Sequence, residues 1–387
     1  MPHTDRAVHE AETPFAVIDD ARLRSNSTVM HAWIAAQGAI LYPHAKTVMS
    51  PELVRLQLDD GSEGMTVATV AQVRALRAWG VQRILLANQL VQPEPAREFA
   101  AELKADPTLQ LWSFVDSPEG IEVLQAAAAA EQIVFDVLVE AGAPGRRSGI
   151  RSREQLAELT AAATRSPGVR IIGVAAYEGA MGADRGEKSM AAVDAYLQHA
   201  VAFLTALIDD GTIAEDEAVF SAGGSMFFDR VTEAVAPLPR ARVVIRSGCY
   251  LLHDHGLYRD STPLPGDDEA PGLQPALTVW GTVHSRPEAG RAYVDVGRRD
   301  VSYDQGLPVV LRRIRRGESV PELIENVQVL SLNDHHTHLG LPADSDLAIG
   351  DRVEFGISHP CTTMDKWRTI PLADPSGSFI GQVHTEF

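Results

Sequence analysis

Cysteine is almost absent: Cys249 and Cys361 are the only two in 387 residues. That is no disulfide framework, and a reducing compartment is its natural home, so a cytoplasmic protein is expected. A basic surplus is absent as well. The chain has 34 Lys and Arg against 52 Asp and Glu, a net charge of −18. This argues against nucleic acid or an anionic membrane surface as partner. No run approaches ~18 consecutive apolar residues, so no bilayer span is expected. The opening Met1-Pro2-His3-Thr4-Asp5-Arg6 lacks the apolar stretch of a signal peptide. There is no internal repeat. The composition is otherwise that of an ordinary globular chain, 45% hydrophobic and 22% charged. Its length suits one large domain plus a smaller one.

What is present is a repeated beat. Short apolar, β-branched runs occur at Ala39–Tyr42, Met65–Ala68, Ile84–Ala87, Leu109–Val115, Ile133–Val139, Val169–Ala176, Ala218–Ser221 and Val243–Ile245. Such continuous runs read as parallel strands buried on both faces. Helical patterns lie between them: Val70–Trp79, Ser117–Ala130 with Ser117 as cap and Pro118 in the first turn, and Lys188–Ile208. Eight strands alternating with helices predict a (β/α)8 barrel over residues 20–248, with a doubly wound open sheet as the competitor. After Gly248 the rhythm changes. A Pro-, Gly- and Asp-rich loop, Ser261–Pro275, precedes strands without helices at Ala276–His284, Arg291–Val296, Val309–Ile314, Asn326–Leu332 and Arg352–Ile357. These predict an antiparallel β domain of residues 249–387, joined by residues 1–19, where Phe15–Ile18 is an early strand.

In such a barrel the loops after the strand C-termini carry the chemistry. Lys46 follows the first strand, Arg147 and Gly149 the fifth, Tyr177-Glu178-Gly179 the sixth, and Gly223-Gly224-Ser225 the seventh. Gly248, Cys249 and Tyr250 follow the eighth. A strand end is partly desolvated, which would make Lys46 nucleophilic. The Gly-Gly-Ser run offers open backbone N–H groups and a hydroxyl for an anion. A reactive lysine facing a phosphate cradle suggests pyridoxal 5′-phosphate. Near the C-terminus, His359 and Cys361 flank Pro360, and an imidazole and a thiolate so spaced suit zinc. His335, His336 and His338 form a further cluster, from which His336 could act as a base or sit beside a metal. Each of these has a plainer reading: a strand-capping lysine, a common turn, an exposed polar loop. Cys249 is expected to pack as a small buried group.

In this order these residues resemble the fold-type III pyridoxal-phosphate enzymes, with their alanine racemase-like barrel. Within them they resemble the D-serine dehydratase and D-threonine aldolase family. The resemblance runs from Thr13-Pro14-Phe15 through Pro43-His44-Ala45-Lys46-Thr47, Tyr177-Glu178-Gly179 and Gly223-Gly224-Ser225 to His359-Pro360-Cys361. It implies that Lys46 is the Schiff-base lysine and takes the substrate α-proton. Arg147 or Tyr177 would reach the pyridine nitrogen, and Gly223, Gly224, Ser225, Gly248 and Tyr250 would hold the phosphate. His359 and Cys361 would be the metal ligands, with His336 near the metal. Val48 stands where many relatives carry a histidine, which places the chain in a divergent branch, often named amino acid deaminases.

The implied activity is dehydration and deamination of D-serine or another β-hydroxy-D-amino acid to a 2-oxo acid and ammonia. The alternative is retro-aldol cleavage of a D-threonine-like substrate to glycine and an aldehyde. Aldolases of the family generally present Asp where Cys361 stands, suited to manganese or magnesium; a thiolate prefers zinc, which favours the dehydratase. A racemase using Tyr303, a cofactor-binding carrier and a structural barrel are the other readings. A homodimer is expected by resemblance.

Overall fold

The computed structural model describes residues 6–267 and 270–387. Residues 1–5, from the opening stretch, and residues 268–269, in the Pro-rich loop, lie outside the described residues. The chain divides into two compact units. One comprises His31–Lys46 and Gln57–Gly248; the other comprises Met1–Met30, Thr47–Leu56 and Cys249–Phe387. Residues 20–30 and 47–56 thus group with the β unit, although the strand–helix beat assigns them to the barrel. Hydrogen bonds explain the difference. Asn26 donates to Leu251 O and Gln274 O and accepts from Gln274 N. The Glu52 carboxylate accepts from His384 N and its ring.

The barrel strands are β2 (Ile40–Leu41), β3 (Met65–Val67), β4 (Arg83–Gln89), β5 (Gln110–Val115), β6 (Phe135–Glu140), β7 (Val169–Ala175), β8 (Val219–Ala222) and β9 (Arg242–Ile245), preceded by β1 (Phe15–Asp19). All eight barrel strands run parallel, in the order β2-β9-β8-β7-β6-β5-β4-β3. A parallel bridge between His44 and Thr66 ties β2 to β3 and closes the ring. Thr66 supports that seam by donating to Pro43 O at 2.9 Å and Tyr42 O at 2.7 Å. Inside, Tyr42, Leu85, Trp112, Phe114, Leu138, Ala175, Val219 and Val244 form one cluster. Tyr42 and Trp112 stack at 5.6 Å within it. The barrel is therefore a packed core, as inward-facing residues from parallel strands require.

The helices lie where their caps and apolar spacing put them. Thr69 and Ser117 cap Val70–Ala78 and Pro118–Glu131 by accepting from Gln72 N and Gly120 N. Among the described residues one helix, Glu187–Asp209, is long and apolar enough by length and composition to cross a bilayer. Its Val193, Leu197, Ala200, Leu204 and Leu207 are buried, and it packs on β7, which accounts for its apolar character.

The β unit contains β1 with β10 (Leu277–Glu288), β11 (Arg291–Val294), β12 (Val309–Ile314), β13 (Glu322–Leu323), β14 (Gln328–Leu332), β15 (Thr337–Gly340), β16 (Arg352–Gly356), β17 (Thr369–Ala373) and β18 (Phe379–His384). Its main sheet runs β13-β12-β16-β10-β1-β17-β18, and β11, β15 and β14 extend from β10 as a ribbon. Pairing is antiparallel except between β1 and β17, which run parallel. Phe15, Val17, Trp280, Ile314 and Phe379 form its core.

Candidate active site and metal centre

At the C-terminal end of β2 a 3₁₀ turn, Ala45–Thr47, carries Lys46. The turn takes the side chain past the strand end, so Lys46 is exposed rather than partly desolvated as its strand-end position suggests. Two residues earlier, His44 keeps its Nδ1 buried with no hydrogen-bond partner among the described residues. Burial, reinforced by the positive charges of Lys46, Arg246 and Arg147, holds this imidazole well below its usual range.

Arg246, at the end of β9, is buried and donates to Ser221 O, Ser221 Oγ and Ala176 O. Its guanidinium lies over the Phe114 ring at 5.6 Å, directly on the barrel core. Burial pushes Arg246 down from its usual value, and the carboxylates of Glu178 and Glu140 oppose this. Arg147 is exposed on the loop after β6 and sits 4.9 Å from the centre of the Tyr177 ring. That loop doubles back through Gly149, whose φ is +100°. A Cβ there would meet Glu140 O at 2.7 Å, so only glycine fits the turn.

The glycine run after β8 is used differently from the expectation. Gly223 N donates to Glu178 Oε2 at 3.1 Å and Gly224 N to Glu178 Oε1 at 2.5 Å. Glu178 is fully buried. The two N–H groups that were to cradle a phosphate are therefore held by the protein's own carboxylate, and Ser225 is left half-buried beyond them. Gly248 is buried after β9; Tyr250 is buried in the β unit, in the 3₁₀ turn Cys249–Leu251.

The barrel mouth suits pyridoxal phosphate on two counts. Lys46, Arg147 and Arg246 all act on the His44 imidazole, and a dianionic phosphate would answer positive charge there. The orphaned His44 Nδ1 marks a polar position that a ligand would satisfy.

In the β unit a second group assembles. Cys249, His359 and Cys361 each offer a ligand atom, and these atoms all lie within 4.8 Å of one another. Cys249 is buried, as expected of a packing cysteine, yet its Sγ is 3.6 Å from Cys361 Sγ. The neighbouring Cys361 thiol and burial both push the Cys249 thiol well above its usual value. Thr47 Oγ1 lies 3.4 Å from Cys361 Sγ and 3.8 Å from Cys249 Sγ. The His359 ring donates from Nδ1 to Asp304 Oδ2 at 2.7 Å. Thr362 donates to the other Asp304 oxygen at 2.6 Å. Burial raises the Asp304 carboxyl, but the Thr362 and His359 hydrogen bonds more than offset it and hold it below its usual value. This pairing fixes the tautomer and leaves Nε2 as the ligand atom, the arrangement metal-bound histidines commonly show.

His336 is not in that group. It is exposed in the turn between β14 and β15, edge-on to His284 at 5.0 Å. His335 lies 3.8 Å from Asp300, and His338 pairs with Asn333. Tyr303 is half exposed beneath Arg298.

Residues 18–233 match the family model described as "Alanine racemase, N-terminal domain". The chain belongs to the fold-type III pyridoxal-phosphate enzymes. Residues 276–373 match a second model, "Putative serine dehydratase domain". D-threonine aldolase of Arthrobacter sp. is 26% identical over 299 residues, covering 77% of this chain and 75% of its own. D-threo-3-hydroxyaspartate dehydratase of Delftia sp. is 25% identical over 373 residues, covering 91% of each chain. The crystal structure of D-threonine aldolase from Filomicrobium marinum superposes with a TM-score of 0.81 at 23% identity, covering 100% of this chain and 98% of that one. A D-threo-3-hydroxyaspartate dehydratase has also been solved in a metal-free form with one cysteine changed to alanine.

Sequence reasoning named Lys46, Arg147, Tyr177, His359 and Cys361, and of these the structure brings His359 and Cys361 into one thiol–imidazole group. That reasoning missed Asp304, the ligand-grade placement of Cys249 and the buried Arg246, all of which depend on contacts distant in sequence.

Proposed function

We propose that this lyase dehydrates and deaminates a β-hydroxy-D-amino acid, giving a 2-oxo acid and ammonia, with pyridoxal 5′-phosphate at Lys46 and a divalent ion at the thiol–imidazole group. The observation that carries the reading is the soft donor set of Cys361 and His359, the latter held in one tautomer by Asp304. When bound, the cofactor supplies an electron sink for charge on the α-carbon, and the ion supplies Lewis-acid polarisation of the β-oxygen.

The chain's own groups do the rest. Lys46, exposed at the barrel mouth, would hold the cofactor aldehyde through Nζ and would serve as the base for the α-proton. Arg147, Tyr177, Ser225 and Gly248 hold and orient the cofactor. Glu178 keeps the Gly223–Gly224 backbone in the shape that Ser225 departs from. His359 and Cys361 hold the ion, and their nitrogen and sulfur character favours zinc over manganese or magnesium.

The aldolase reading is retained because the Arthrobacter relative is a D-threonine aldolase. The two separate by products. The protein is incubated with D-serine, D-threonine and 3-hydroxy-D-aspartate, with and without chelator. Ammonia and a 2-oxo acid, lost on chelation, support the dehydratase; glycine and an aldehyde support the aldolase; neither overturns both. The proposal extends to a homodimer in the cytoplasm, which sedimentation and cell fractionation test.

A further inference from the structure

We propose that Cys249 is a third protein ligand, so that the β unit carries a two-thiolate, one-imidazole site with one position open to an oxygen ligand. The inference rests on the reading that an ion binds at His359 and Cys361, and it adds a ligand to that pair.

The spacing carries it. A tetrahedral zinc ion with Zn–S bonds of about 2.3 Å separates two of its sulfurs by about 3.8 Å. Cys249 Sγ and Cys361 Sγ are 3.6 Å apart. That is the edge of such a tetrahedron, and His359 lies within the same 4.8 Å group. The positions are held from outside. Cys249 is buried in a 3₁₀ turn beside fully buried Tyr250 and Leu251. Ser302 Oγ accepts from Ser358 N and His359 N, fixing the turn that presents His359. Thr47 Oγ1 accepts from Cys361 Sγ at 3.4 Å and lies 3.8 Å from Cys249 Sγ, so one hydroxyl sits against both sulfurs. The only two cysteines of the chain, 112 positions apart, meet at this one place. Three protein ligands and one vacancy is the pattern of a catalytic rather than a structural ion.

Cobalt(II) reports the number of thiolates by its sulfur-to-metal charge-transfer absorption. The full-length protein is stripped with chelator and titrated with Co²⁺ alone. The proposal expects an intense near-ultraviolet band in the wild type and about half its amplitude in both Cys249→Ser and Cys361→Ser, since each removes one of two thiolates. Full amplitude in Cys249→Ser, with loss only in Cys361→Ser, overturns the third ligand while leaving the His359–Cys361 reading intact. No thiolate band in the wild type overturns both. A measurement without variants guards against misfolding. Zinc is expected to protect both cysteines of the wild type from iodoacetamide, and alkylation of Cys249 in zinc-loaded protein contradicts the proposal.

Discussion

His359 Nδ1 meets Asp304 Oδ2 at 2.7 Å, across 55 positions of sequence. If an ion binds at His359 and Cys361 as proposed, the contact makes Asp304 a positioning residue for it. It touches no ligand atom, but it selects which ring nitrogen faces the ion and raises that nitrogen's basicity. Asp304→Asn is expected to weaken zinc binding by about 10- to 100-fold while leaving the fold intact. Competition with a chromophoric chelator measures this, and wild-type affinity in the variant would show that the pair is only structural.

Glu178 accepts two backbone N–H groups while fully buried. Glu178→Ala leaves both donors without an acceptor. Each such group costs about 1–3 kcal/mol, so the free energy of unfolding should fall by roughly 2–6 kcal/mol. The urea midpoint reads this directly. An unchanged midpoint would mean that water or another group replaces the carboxylate without loss.

Two buried histidines, His253 and His255, and the half-buried His44 set the response to acid. Burial lowers His253 from 6.5 to about 4 and His255 to about 3, and holds His44 well below its usual value. A folded-state value below the unfolded one gives stability that is present above pH 6.5 and lost as the pH falls, because only the unfolded chain takes up the proton. Asp254 opposes them. Burial raises its carboxyl from 3.8 to about 6, so its contribution is present below 3.8 and lost as the pH rises through 6. Between pH 6 and 4 the histidines outnumber it, and each group is worth about 1.4 kcal/mol per pH unit. The thermal midpoint, measured with chelator present, should therefore fall from pH 7 to pH 5. His255→Gln should flatten the slope. A midpoint that is flat or rises toward acid would contradict this balance.

Much of this architecture was legible in the chain itself. The eight barrel strands stood out because parallel strands buried on both faces are continuous apolar runs. Other strands did not. β13 is two residues long, β17 contains Pro371, and β15 adjoins a polar histidine-rich turn. Lys46, His359 and Cys361 were visible as local strings. Asp304 and Cys249 were not, because their roles come from contacts 55 and 112 positions away. Glu178 was seen next to Tyr177, but its claim on the glycine N–H groups exists only once β7 and β8 lie side by side.

The role of Lys46 is tested most directly by trapping. The protein is loaded with pyridoxal 5′-phosphate, reduced with borohydride, digested and mapped by mass spectrometry. A phosphopyridoxyl group on Lys46, absent from Lys46→Ala, is the predicted result. Modification confined to other lysines, or none at all, would contradict the account.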